Sequence, residues 1–175
     1  MGVITKPTVQ PRIYVACLAT YNSGYLHGVW IDAAQEPWAI HDAVTAMLRA
    51  SPVAGAEEWA IHDYENFGGV RLGEYDGFER VAALAAFIAE HGDIGAALLD
   101  YYGADIAEAR EAIEERYLGT YASLADYVQE VTEETTRIPE ALRGYVDWEA
   151  MARDAELGGD VLTFATAVVH VFAGG

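Results

Sequence analysis

Five histidines and 28 carboxylates are the residues of this 175-residue chain with the widest chemical scope. Two of the histidines stand in a repeat, Trp38-Ala39-Ile40-His41-Asp42 and Trp59-Ala60-Ile61-His62-Asp63. His-Asp doublets resemble a fragment of a metal phosphohydrolase site. Such a site also needs an upstream His and a distant Asp on facing helices. The surrounding pattern puts one copy in a helix and the other in a strand, so the two do not present alike and read as structural. His27, His91 and His170 add neither a Cys pair nor an HExxH spacing for zinc. Calcium lacks its DxDxDG loop. Gly68-Gly69 and Gly73 lack the spacing and the following Lys of a phosphate-binding loop. Lys6 is the only lysine, which argues against a phosphate-handling enzyme. Cys17 is the only cysteine, so no intrachain disulfide forms, and it sits in an apolar run as a core residue.

The carboxylates are the stronger signal. Against 10 Lys+Arg they give a formal net charge of -18, in a chain that is 53 % hydrophobic. That is too apolar for an acidic disordered chain. The charge excludes direct binding to DNA or RNA, whose backbone attracts cations, and anionic membranes repel it. No apolar run approaches a membrane span, and the N-terminal residues do not read as a secretory leader. The expected location is the cytoplasm. A monomer of 19.0 kDa exposes about 8,400 Å², or one net charge per ~470 Å². B-DNA, taken as a cylinder ~20 Å wide, carries one per ~110 Å². Only a face that collects most of the acids reaches that density.

The elements that must position these acids follow from periodicity and turn residues. Residues 1–11 read as a loose arm, 12–18 as a strand, 21–24 as a turn and 26–32 as a return strand. A helical stripe (Ile40, Val44, Met47, Leu48) spans 36–50, and Ser51-Pro52 ends it. Residues 58–64 form another strand, followed by a Gly-rich bend. Phe78, Val81, Leu84, Ala85 and Ile88 mark a helix over 77–90. Asp93 is placed to cap a short helix through Tyr102, which Gly103 stops. Residues 105–117 form a helix with an acidic face. Ser123 opens one through about Glu134, with Asp126, three residues on, as the acid of a capping box. Pro139 starts a short helix, 145–156 is helical, 158–160 is a turn, and 161–173 is a terminal hairpin. The fold class is α+β: an N-terminal small sheet with helix (12–75), a central helical unit (76–117) and a C-terminal α+β unit (118–173).

Charge follows this division. Residues 1–56 hold three acids and three bases, so the whole -18 lies beyond them. On the 105–117 helix, Asp105, Glu108, Glu111 and Glu115 recur at three- and four-residue steps, ~5–6 Å apart along the axis, and Glu114 widens the line. Like charges so spaced destabilise an isolated helix by a few tenths of a kcal/mol per pair. Asp126, Glu130, Glu133, Glu134 and Glu140 follow, then Asp147, Glu149, Asp154 and Glu156. With Glu57, Glu58, Asp63, Glu65, Glu74, Asp76 and Glu79 they make up the candidate partner-binding acids. An ordinary solvated face accounts for any one helix but poorly for the total. A surface copying the phosphate charge of DNA accounts for the total, and its partner is a protein whose basic groove holds a duplex. Two rival readings stand beside it: an acidic adaptor or decoy for another DNA-binding protein, and a small metal-dependent hydrolase using His41/Asp42 and His62/Asp63.

The sequence also resembles the ArdA-type antirestriction proteins. The resemblance is carried by RIYVACLATYNSGYLHGVWIDA (12–33), SPVAGAEEWAIHDYENFGG (51–69), FERVAALAAFIAEHG (78–92), SLADYVQEVTEETTRIPEALRGYVDWEAMARDAEL (123–157) and VHVF (169–172). It implies an elongated, curved protein of three small units, a head-to-head homodimer through its C-terminal part, without enzymatic activity or cofactor. It implies stoichiometric inhibition of type I restriction–modification enzymes, whose specificity and methylation subunits would hold it in the DNA groove. By position, the family's antirestriction segment is 126–140. The end of the chain, ATAVVHVFAGG, departs from the longer polar hairpin expected of relatives.

Overall fold

The computed structural model describes residues 10–175, so most of the expected N-terminal arm lies outside the described residues. The chain divides into two compact units, residues 1–106 and 107–175. Its class is α+β, with a sheet-and-helix region first, then helices, then a second α+β region.

In the first unit, β1 (Arg12–Cys17) is the central strand of an antiparallel sheet, with β2 (Gly28–Asp32) on one side and β3 (Trp59–Glu65) on the other. The two-residue alternation puts Ile13 and Val15 opposite Ile31 and Val29, and Ile13, Val15 and Ile31 are buried. A bulge between Tyr14 and Val15 slips the β3 register, so Tyr14 pairs with Asp63 and Val15 with Ile61. Helix α2 (Pro37–Arg49) lays Ile40, Val44 and Met47 inward; Pro37 sits in its first turn, where a missing N–H costs nothing. Helix α3 (Phe78–His91) buries Phe78, Val81, Leu84, Ala85, Phe87 and Ile88 and packs on α4 (Asp93–Tyr101).

Two local expectations are corrected here. Leu18 does not end a strand; it begins a short helix, α1 (Leu18–Asn22). Asp93 does not cap α4 but is its first residue. Gly92 takes the cap position at φ 67°, a conformation without side-chain penalty for glycine.

The second unit begins inside α5 (Ile106–Glu111), one residue after its start, and α5 runs into a π-helical turn over Ala112–Arg116. Strand β4 (Tyr117–Tyr121) follows, then α6 (Leu124–Thr135), α7 (Glu140–Arg143), α8 (Trp148–Leu157), β5 (Val161–Ala165) and β6 (Val169–Ala173). The terminal hairpin forms as expected, but β6 is the middle strand of three, with β4 on its far side. The expected helix therefore ends before Tyr117, and the strand after it was not foreseen. Residues 145–147 are not helical: Asp147 caps α8, its carboxylate accepting from the Ala150 N–H at 2.9 Å. The seam between α6 and α8 is thin, built on Ala125, Val128 and Ala152, with Leu124, Tyr127, Trp148 and Ala155 beside it.

Candidate partner-binding surface

Burying a carboxylate without a partner is costly, so acids go outward wherever a helix or strand has a solvent face. Here 27 of the 28 acids are exposed, and Asp76 is half-buried. Helix α6 shows the construction. Ala125 and Val128 face the seam, while Asp126, Glu130, Glu133 and Glu134 take the outward positions. Ser123 opens the helix by accepting from the Asp126 N–H at 3.1 Å, and its hydroxyl donates to the Asp126 carboxylate at 2.7 Å. Twelve residues at 1.5 Å rise make a rod of about 18 Å, so its four acids average one per ~4.5 Å. One DNA strand carries one phosphate per ~3.4 Å of axis. The local density of α6 thus approaches that of a DNA strand, although the average over the whole chain does not.

The acidic line expected over 105–117 is shorter than its spacing suggested. Asp105 precedes α5, and Glu114 and Glu115 lie in the π-helical turn, where the α-helical register is lost. The regular three-residue step holds from Glu108 to Glu111 only. All five acids remain exposed.

Bases neutralise few of the candidates. Arg12 meets Glu65 at 2.7 Å, Arg80 meets Asp76 at 2.7 Å, and Arg143 reaches both Glu133 at 3.7 Å and Glu140 at 3.5 Å. His41 lies 3.9 Å from Glu79. Such surface pairs contribute about 0–1 kcal/mol. Among the described residues, Glu57, Glu58, Glu74, Glu111, Glu114, Glu115, Glu134, Glu149 and Asp154 enter no ion pair. Other carboxylates organise the backbone and neighbouring hydroxyls. Asp63 accepts from the Tyr64 N–H at 2.8 Å, Glu156 accepts from Thr163, and Glu130 accepts from the Tyr121 hydroxyl at 3.1 Å. Burial, the bond to Glu130, and the charges of Glu130, Tyr127 and Glu134 together hold the Tyr121 phenol above its ordinary range.

The structure brings some candidates together and leaves others apart. Asp126, Asp147 and Glu149 line one groove at the starts of α6 and α8, with Tyr145 and Trp148. In the first unit Asp76 and Glu79 flank the start of α3, whereas Glu57, Glu58, Asp63 and Glu65 belong to β3 and the residues before it. The seven acids outside the candidate set, among them Glu36, Glu90 and Asp100, are equally exposed. Exposure alone does not single out the partner-facing carboxylates.

The histidine repeat does not converge. His41, in α2, packs edge-on to Phe78 at 4.7 Å, and His62, in β3, to Tyr21 at 4.7 Å. Among the described residues no three His, Cys, Asp or Glu side chains gather as metal ligands. Cys17 is fully buried.

Compared with known families, the chain matches the antirestriction protein (ArdA) family over residues 13–170, almost its full length. No curated protein matches it. The chain belongs to the ArdA antirestriction family, whose role is inhibition of type I restriction enzymes by mimicry of DNA. Members are not enzymes, and the exposed carboxylates are the chemistry that this role requires.

Proposed function

We propose that this ArdA-family chain inhibits its type I restriction–modification enzyme by competing with DNA for the basic groove of the specificity and methylation subunits. The observation that carries this reading is the exposure of 27 of its 28 acids, set against 10 bases. The contact set comprises Glu57, Glu58, Asp63, Glu65, Glu74, Asp76 and Glu79 in the first unit, with Asp105 at its end. In the second it comprises Glu108, Glu111, Glu114, Glu115, Asp126, Glu130, Glu133, Glu134, Glu140, Asp147, Glu149, Asp154 and Glu156. Segments 12–75, 76–117 and 118–173 act as three carboxylate-bearing stretches. Phosphate-like contacts carry no sequence information, so enzymes with different target sequences are inhibited alike. The protein acts in the cytoplasm, where restriction takes place; no helix among the described residues is long and apolar enough to cross a membrane.

The chain works as a homodimer joined through its second unit. Support comes from side chains left in solvent there: Tyr145 and Leu157 are each 86 % exposed and Leu142 is 54 % exposed. Strand β4 pairs only with β6, so its other edge is open to a second copy. The test is phage plating in a restricting host with and without the protein. Relief of type I restriction is expected, and no relief sinks the reading. Sedimentation of the purified chain tests the dimer; a monomer at micromolar concentration removes it.

A further inference from the structure

The two units carry the same net charge on different foundations. Residues 1–106 hold 14 acids and 5 bases, and residues 107–175 also hold 14 acids and 5 bases, so each sums to -9. The second unit spreads that charge over 69 residues instead of 106. Of the twelve largest fully buried side chains, it contains one, Phe172. Its α6–α8 seam rests on two alanines and a valine.

Several of its acids also stand where they oppose local structure. Glu134 lies in the last turn of α6, and Asp154 lies in the second half of α8. The C-terminal end of a helix carries partial negative charge. Glu130 and Glu134 are one helical turn apart, a like-charge spacing that destabilises. Glu114 and Glu115 crowd the π-helical turn. A unit of 69 residues has a radius of gyration of about 11 Å. At 10 mM salt the Debye length is ~30 Å, so every carboxylate in the unit senses the others. At 1 M it is ~3 Å, and only adjacent charges interact.

We propose that the second unit is an electrostatically loaded fold: repulsion among its carboxylates keeps it only loosely closed at low ionic strength, and a cationic surface that neutralises them tightens it. Folding of this unit and engagement of a basic partner are then linked, because whatever binds the folded form better than the open form stabilises it. The identity of that partner as the restriction enzyme rests on the function proposed above; the loading itself does not. The acids are retained for contact at the expense of stability, a trade-off common at functional surfaces.

Amide hydrogen exchange on the full-length chain tests this, at 10 mM and 500 mM NaCl, with a third sample at 10 mM NaCl plus deca-lysine. Amides of α6, α8 and β4–β6 are expected to slow at least tenfold with salt or with deca-lysine, and those of β1–β3 and α3 less than twofold. Equal responses in both units, or no response in the second, overturn the proposal. A triple variant, E114Q/E134Q/D154N, removes three carboxylates that enter no ion pair. It is expected to exchange more slowly than the parent at 10 mM NaCl and to have lost part of the salt response. Unchanged or faster exchange also overturns the loading. Affinity of the same variant for the restriction enzyme reads the partner separately. Slower exchange with unchanged affinity keeps the loading and removes these three acids from the contact set.

Discussion

The first unit is built around a core and the second around a surface. In the first, β1–β3, α2 and α3 bring Ile13, Val15, Ile40, Phe67, Phe78, Phe87 and other large side chains out of water. At about 25 cal/mol per Å² of apolar area, such side chains supply most of a domain's stability. In the second, every residue from Asp147 to Gly159 except Ala152 is exposed or half-exposed, and the α6–α8 seam is alanine-rich. The same net charge therefore rests on a smaller apolar foundation. The thin interior leaves the second unit less apolar burial to offset the self-repulsion of that charge.

Substitution of one phenylalanine in each unit breaks or sharpens this contrast most strongly. Phe→Ala in a core costs ~3–5 kcal/mol. Phe87→Ala is expected to lower the stability of the first unit yet leave it folded at 25 °C. Phe172→Ala is expected to unfold the second, because no other side chain of that size is fully buried there. Exchange protection of α3 against that of β4–β6 reads the two outcomes. If both variants retain protected amides, the contrast in foundation is wrong.

A smaller effect is expected from Ser123→Ala. Loss of an N-cap costs ~0.5–2 kcal/mol, and in a unit with little reserve this should speed exchange throughout α6. The corresponding cap of α2, Glu36, makes no side-chain cap bond, so Glu36→Ala should leave α2 exchange unchanged. An α2 as sensitive as α6 would erase the difference.

The smallest effect concerns Tyr121, held above its ordinary range by burial and by Glu130. Its folded form keeps the proton after the unfolded chain has lost it. The associated stability is therefore intact below the unfolded value of about 10 and declines as pH rises through the folded value. Phenolate absorbance of the folded protein should show one tyrosine titrating late, and Glu130→Gln should bring it back toward the others. A titration indifferent to Glu130 contradicts the electrostatic picture of this surface.

The sequence carried the apolar helix stripes well. Phe78, Val81, Leu84, Ala85 and Ile88 recur at helical spacing, and all are buried. Ser123 and Asp126 announced the start of α6 through chemistry local to four residues. Strand β4 was not legible because its reason is non-local: Tyr117 and Tyr121 pair with Phe172 and Val169, about fifty residues away, and Gly119 in its middle weakens any strand pattern. The π-helical turn hid for a similar reason, since the acids of 105–116 fit an α-helical repeat on paper. The family and its role were legible as a charge total and a resemblance. The acids proposed to carry that role were not separable from the rest, because exposure is shared by all but one of the 28.

Mimicry of phosphate charge predicts one dependence above all others. A ligand that substitutes for several DNA phosphates must lose affinity steeply with salt, because cations of the enzyme's groove then recruit other anions. For six or more such contacts, duplex binding falls ~10³-fold or more between 50 and 200 mM salt. The direct measurement is equilibrium affinity of the protein for the purified restriction–modification enzyme across that range, without DNA. The account predicts a steep decline of affinity across that range, of at least ~100-fold. An affinity that barely moves across the same range would contradict the claim that its carboxylates take the place of DNA.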